Sequence, residues 1–519
     1  MTSDPSGGVE QGMAEVVTTT SRLLDSGADL VPEGELPEVP KDLTKSAARG
    51  FVLTLLGFIF LQLASFATYV VAGHYLDSSE LGVVGKFLTV LFWMDVLLDM
   101  GMGAAIIRDQ EKGQTERVGI AFSVNTIVAV VVSLGLFFAA PLIAGFFRVS
   151  DRVELFQMLA ILALVRGLGQ VPNSMLERDM AFGKGAALGV TRSVLRFAIA
   201  FFMLAHGAGA AAMAVSVVIA ETASTLLAAY FARFRPRFRW SSTEAFEMLR
   251  FGVTIFGSRL SGMLWLNGDY LVIGSRLSNA QYGDYFTAFR LPELLLGSVY
   301  NMFSTVAFPT YSAARTRGPE KLREAYLQAL KLLCLFGFPV GVGMSLVARD
   351  FITVVFPTHT GAIPPMELLS IAGMWVAVGY ASGDLYNAIN KPRLGLYFNL
   401  MGTPILIGGF LLVVHRGIAA IALVHLCVIV PYSFFRMEVA NRLIDTTWAQ
   451  HFRALLPAMV TTAGVVVFAL PLRLTLAPSL GSLVAIVVCG ALGGLLGLLI
   501  GDRHAFAELR EIAMKALKR

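Results

Sequence analysis

Seven basic side chains fall inside apolar stretches of this chain: Lys86, Arg166, Arg192, Arg196, Arg259, Arg290 and Lys331. A charge at bilayer depth costs at least ~2.5 kcal/mol on insertion scales, so such a group faces a protein interior or a watery cavity. Five of the seven are Arg, whose planar fork suits phosphate and carboxylate. Arg192 and Arg196 are four apart and share one helix face, with no acid on their own span. The chemistry on offer is neutralisation of an anion inside a membrane, with Arg166, Arg192, Arg196, Arg259 and Arg290 as the candidate lining. Lys331 sits close to a span end and can snorkel. The remaining Lys and Arg read as loop or tail cations.

The same stretches hold the acids Asp95, Asp99, Glu221, Asp269, Glu293 and Asp384. Buried carboxylates can carry protons or hold an ion, and Asp95, Asp99, Asp269 and Glu293 are the candidates for proton or sodium coupling. The plainer alternative is that these acids neutralise the arginines and hold helices together. Glu293, three residues after Arg290, is a ready ion-pair partner. No HExxH, no Walker-type phosphate loop and no paired catalytic carboxylates on a loop occur, so the chain reads as a non-enzyme without catalytic residues, cofactor or metal site. Cys334, Cys427 and Cys489 all fall in apolar spans and read as packing residues.

The elements that must position these residues are membrane helices. The 519 residues are 56% hydrophobic and 15% charged, the composition of an all-α polytopic membrane protein. A pI near 9.1 is no sign of a nucleic-acid partner, because the basic charge flanks apolar spans. Apolar stretches of about 20 residues recur fourteen times, each long enough to span. Placing both termini in the cytoplasm puts most loop Lys and Arg inside, including Arg233, Arg235, Arg237 and Arg239. Pro292 and Pro339 fall mid-span and predict kinks in the eighth and ninth helices. The first 40 residues carry eight acids and one basic residue, Arg22, which predicts a disordered tail.

An internal repeat organises the spans. At an offset of 201, Tyr69, Gly73, Leu76 and Gly82 meet Tyr270, Gly274, Leu277 and Gly283; at 210, Leu159, Ile161 and Gly169 meet Leu369, Ile371 and Gly379. Spans one to six thus match spans seven to twelve in the same orientation, a transporter arrangement with the substrate between the halves. The expected plan is an acidic tail over 1–45, a first lobe over 46–232, a basic linker over 233–250 and a second lobe over 251–440. Two further spans follow over 450–501, then a basic amphipathic tail over 502–519 that lies on the membrane surface.

Several segments resemble the Wzx-type polysaccharide flippases of the multidrug/oligosaccharidyl-lipid/polysaccharide exporter superfamily. They are DMGMGAAIIRDQ (Asp99–Gln110), SMLERDMAFGK (Ser174–Lys184), the stretch Asn267–Leu295, VAFPTYSAAR (Val306–Arg315) and DLYNAINKPRLGL (Asp384–Leu396). The resemblance implies a V-shaped, two-lobed transporter in the bacterial plasma (inner) membrane. It implies a polyprenyl-diphosphate-linked oligosaccharide as cargo, for lipopolysaccharide or exopolysaccharide synthesis, with membrane lipids and the pathway's glycosyltransferases or polymerase as partners. Rival readings are a peptidoglycan-precursor flippase, a multidrug antiporter of the same superfamily, a polysaccharide polymerase or ligase, and a non-transporting scaffold.

Overall fold

The computed structural model describes residues 60–98, 114–179, 181–503 and 507. Asp99, the Asp99–Gln110 segment, the acidic tail and nearly all of the basic tail lie outside these residues. Among the described residues the secondary structure is helical, with no strand. The helices are α1 (60–75), α2 (Ser78–Leu98), α3 (Gln114–Phe146), α4 (Val153–Arg178), α5 (Phe182–Ala205), α6 (Ala210–Phe231) and α7 (Ser242–Arg276). There follow α8 (Asn279–Pro292), α9 (Ser298–Thr316), α10 (Pro319–Val355), α11 (Ile363–Ala388) and α12 (Arg393–Val413). The last three are α13 (Ile418–Ile444), α14 (Trp448–Thr475) and α15 (Leu480–Gly501).

Among the described residues eleven helices are long and apolar enough to cross a membrane, fewer than the fourteen apolar stretches of the sequence. The shortfall has local causes. Only 60–75 of the first stretch is described, α7 carries several charges, and the eighth stretch is split into α8 and α9. Between them, Glu293–Gly297 form a π-helical turn directly after Pro292. Pro339, by contrast, sits inside the unbroken α10. A second break falls where no proline marks it: Asn267 in α7 leaves helical geometry at φ −133° and ψ 17°. The expected linker over 233–250 is shorter than read, because α7 starts at Ser242 with Glu244 in its first turn, where a carboxylate favours the helix dipole.

Helix starts follow capping chemistry. Ser278 with Gln281, Thr447 with Gln450 and Ser479 with Ser482 each form a capping box, opening α8, α14 and α15. In the core, α3 packs on α4 and α5 on α6, while α11 packs on α10 and α13, and α12 on α7. The pair α14–α15 lies against α10, joined there by the ion pair of Lys331 with Asp502. Lys331 is thus partnered within the protein.

The two halves meet where α2 crosses α8, and the repeat is visible in that crossing. The offset of 201 carries Ser78 onto Asn279 and Gly82 onto Gly283. A Cβ at Gly82 would overlap the Asn279 carbonyl oxygen, and one at Gly283 would overlap the Ser78 carbonyl oxygen. Each helix therefore contacts the other with its equivalent residues, as a local two-fold axis requires. On the preceding helices, Gly73 of α1 abuts the Phe356 ring and Gly274 of α7 the Phe147 ring, a parallel pair of contacts. Polar contacts stitch this seam: Lys86 Nζ donates to the Phe147 carbonyl at 2.6 Å and to Asn279 Oδ1 at 2.5 Å. Ser78 Oγ donates to Asp284 Oδ1 at 2.7 Å and to the Thr358 carbonyl at 3.0 Å. Lys86 is fully buried here. It serves the junction between the halves.

Candidate functional site

The first lobe gathers charged residues from four helices. Arg166 of α4 donates through Nη1 to Asp95 Oδ1 of α2, and its Nη2 lies 3.5 Å from Glu221 Oε2 of α6. Arg192 of α5 places Nε 3.4 Å from the same Glu221 oxygen, and its Nη2 donates to Ser224 Oγ at 3.2 Å. Glu221 is buried. Two acids thus hold two arginines in place. Small residues permit the approach: a Cβ at Gly169 of α4 would crowd Thr225 of α6.

Arg196 stands one turn further along α5. Among the described residues it makes no ion pair, and its buried Nε has no hydrogen-bond partner. It lies within electrostatic range of Arg166, Arg192 and Glu221, and of Arg290 from the other half. Arg290 Nη1 donates to Glu293 Oε2 at 2.7 Å, while its guanidinium sits 5.7 Å from the Phe92 ring of α2. Among the described residues the cluster thus holds four guanidiniums and the three carboxylates of Asp95, Glu221 and Glu293, a formal excess of one positive charge.

The other candidates are placed elsewhere. Arg259 is exposed on α7, before the break at Asn267, and is already engaged. Asp269 is buried behind the seam, accepting from Tyr285 Oη at 2.7 Å and the Tyr270 N–H at 2.9 Å, with His425 Nδ1 at 3.9 Å. Asp384 accepts from Ser304 Oγ at 2.7 Å.

A cavity of about 560 Å³ opens in the second half, bounded by α7, the π turn, α9, α11, α12 and α13. Arg290 and Glu293 border it, and Asp384 lines its floor. Arg436 also lines it, a residue read from the sequence among the loop and tail cations. It lies near the end of the twelfth apolar stretch, over 417–438, inside α13, which runs to Ile444. A sequence signal existed: His425, Tyr432 or Ser433, and Arg436 recur at helical spacing as one polar stripe on an apolar span. Among the described residues no cluster of His, Cys, Asp and Glu could hold a metal ion.

Paired lobes of membrane-crossing helices, with charge gathered in the interior at their meeting point, have the architecture of a membrane transporter. Residues 74–359 match the family described as polysaccharide biosynthesis proteins, and the chain belongs to that family. It is similar to the teichuronic acid biosynthesis protein TuaB of Bacillus subtilis, 26% identical over 84% of this chain and 90% of that one. The lipopolysaccharide biosynthesis protein WzxC of Escherichia coli is 25% identical over 65% of this chain and 70% of its own. The fold is shared with the solved lipid II flippase MurJ in an inward closed conformation, at a TM-score of 0.72 and 12% identity, covering 87% of this chain and 99% of that one.

Proposed function

We propose that this protein is a flippase that carries a polyprenyl-diphosphate-linked oligosaccharide across the bacterial plasma membrane by alternating access, supplying cell-surface polysaccharide synthesis. The observation that carries the reading is Arg196. Among the described residues it is an arginine in the membrane interior without an ion pair, held among Arg166, Arg192 and Arg290, where one positive charge is left over. A free guanidinium in such a place suits a diphosphate that arrives with the cargo, since charge-assisted pairs are strong where water is scarce. Names of relatives point the same way, among them a probable low-salt glycan biosynthesis flippase of Haloferax volcanii, 21% identical over 73% of this chain.

The asymmetry of sign weighs against a multidrug cation carrier, which needs an acidic lining. Both termini lie in the cytoplasm on the distribution of loop Lys and Arg, so the cargo enters from the inner leaflet, where glycosyltransferases assemble it. Its lipid tail remains in the bilayer. Asp95 and Glu221, each bound to arginine, act as neutralising partners in this reading.

The test is flipping in proteoliposomes reconstituted with a lipid-linked oligosaccharide, alongside surface polysaccharide in a deletion strain. Arg196→Ala lowers the flipping rate on the order of tenfold while protein yield is unchanged, because no internal partner is lost. Undiminished flipping in that variant sinks the assignment. Unpolymerised units appearing outside a deletion strain would instead identify a polymerase.

A further inference from the structure

The cavity in the second half differs in chemistry from the arginine cluster. Its charges balance: Arg290 and Arg436 against Glu293 and Asp384. Its walls are aromatic, with Trp265 and Tyr432 at a centroid separation of 4.6 Å and Tyr300 and Tyr380 at 5.5 Å. Side-chain amides line it as well: Asn387 and Asn399, with Asn301 bonded to the Gly297 carbonyl and the Tyr380 hydroxyl. Neutral charge, aromatic faces and side-chain amides suit a ring that offers C–H faces and many hydroxyls. That is a sugar.

The backbone is broken to make room. The π turn Glu293–Gly297 borders this cavity, and Trp265 and Leu266, just before the Asn267 break in α7, line it; irregular backbone inside a membrane protein is tolerated where it lines a watery space. Gln62 of α1 donates to the Leu294 carbonyl at 3.5 Å, holding the π turn. Two polar atoms packed behind the lining surface are unpartnered. Tyr432 is 9% exposed and its buried hydroxyl has no partner, and the buried Nε of Arg436 has none either. The Arg436 guanidinium is held over the rings of Phe398 and Tyr386, at 5.4 and 5.9 Å. The volume falls in the range of small-ligand sites, ~300–1,000 Å³. A cation site is the weaker fit, because the Arg436 guanidinium already stands within electrostatic range of Asp384.

We propose that this cavity is a sugar subsite, which takes one or two pyranose units of the cargo while the arginine cluster holds the diphosphate. The inference rests on the flippase reading and adds to it a place where the glycan is recognised. Glu293 and Arg290 stand where the two sites meet, so the glycan and the diphosphate occupy adjoining chambers.

The experiment uses the full-length protein in nanodiscs, titrated with undecaprenyl diphosphate and with undecaprenyl diphosphate bearing glucose, galactose or N-acetylglucosamine. Native mass spectrometry reads the affinities. At least one sugar-bearing lipid binds about tenfold more tightly than the bare diphosphate. Asn399→Ala and Asn387→Ala each remove that gain and leave the affinity for the bare lipid as it was. Arg196→Ala weakens every lipid by the same factor. The proposal is overturned if no sugar improves binding, or if the gain survives both cavity variants. It is also overturned if the cavity variants weaken the bare lipid equally, or if sodium alone, through Asp384, accounts for every change they cause. Failure of the bare diphosphate to bind, or its indifference to Arg196→Ala, instead strikes the flippase reading, and the sugar gain is read separately from it.

Discussion

The two halves share a scaffold and differ in what lines it. At the α2/α8 crossing the repeat is nearly literal, Gly82 and Ser78 exchanging contacts with Asn279 and Gly283. A few turns away the likeness ends. The offset of 201 carries Asp95 onto Leu296, and that of 210 carries Arg166 onto Val376. An ion pair in the first half thus corresponds to two apolar residues bordering the cavity of the second. Close helix contact restricts residues to those that fit, whereas a cavity wall tolerates any side chain that suits its occupant. Symmetry was kept where backbones touch and lost around the charged cluster and the cavity.

The largest effect is expected at the crossing. Gly82→Val and Gly283→Val each drive a side chain into a carbonyl of the facing helix, so each costs about 3 kcal/mol or more. Reciprocal geometry requires similar losses, measured as the fall in thermal midpoint of the purified protein. Clearly unequal losses would break the two-fold description.

Next comes the swap that makes the first half resemble the second. Asp95→Leu alone leaves Arg166 underpaired and destabilises by roughly 2 kcal/mol, below the figure for a fully buried pair because the Asp95 side chain is 40% exposed. Adding Arg166→Val recovers most of that stability, but flipping stays low. Recovery of flipping in the double variant would show that the charge of the first half is not needed.

A smaller effect sharpens the role of Arg196. Arg196→Lys keeps the charge but loses the fork, so flipping falls about threefold, between wild type and the Ala variant. Equal rates for Lys and Arg would mean that charge alone suffices.

The smallest concerns the seam. Burial holds His359 below the usual histidine range. Its Nδ1 meets Thr358 Oγ1 at 2.9 Å, and Nε2 is buried without a partner. Asp284 approaches the adjoining Gly361, and Asp77 exerts an opposing attraction. A base with a depressed pKa leaves stability intact above the unfolded value of about 6.5 and erodes it as pH falls from there toward the depressed value. The thermal midpoint should therefore slip on acidification from about pH 7 to about pH 5, by less in His359→Gln. An unchanged slope in that variant would put the sensitivity elsewhere.

The sequence carried the class, the repeat and most of the charged residues. Runs of apolar residues define spans because lipid offers the backbone no partner, so length and hydropathy are enough. Arg166, Arg192, Arg196 and Arg290 stood out for the same reason, as charges where none is expected. Their partners did not. Glu221 lies 29 residues from Arg192, and only the packing of α5 on α6 brings the two together. Nor could the sequence separate Arg196 from Arg192, which share a face; one turn decides which meets an acid. The break at Asn267 carried no proline to announce it, and Arg436, near the end of its apolar stretch, read as a loop cation.

What the sequence determined by itself is therefore local or periodic: membrane helices, their repeat, and the presence of cations among them. What the tertiary structure decided is relational, namely which arginine stays free and where two broken helices open a neutral, aromatic cavity. Solvation acts on each residue separately and can be read along the chain. Pairing and cavity shape depend on residues far apart in sequence, and exist only once the helices have packed.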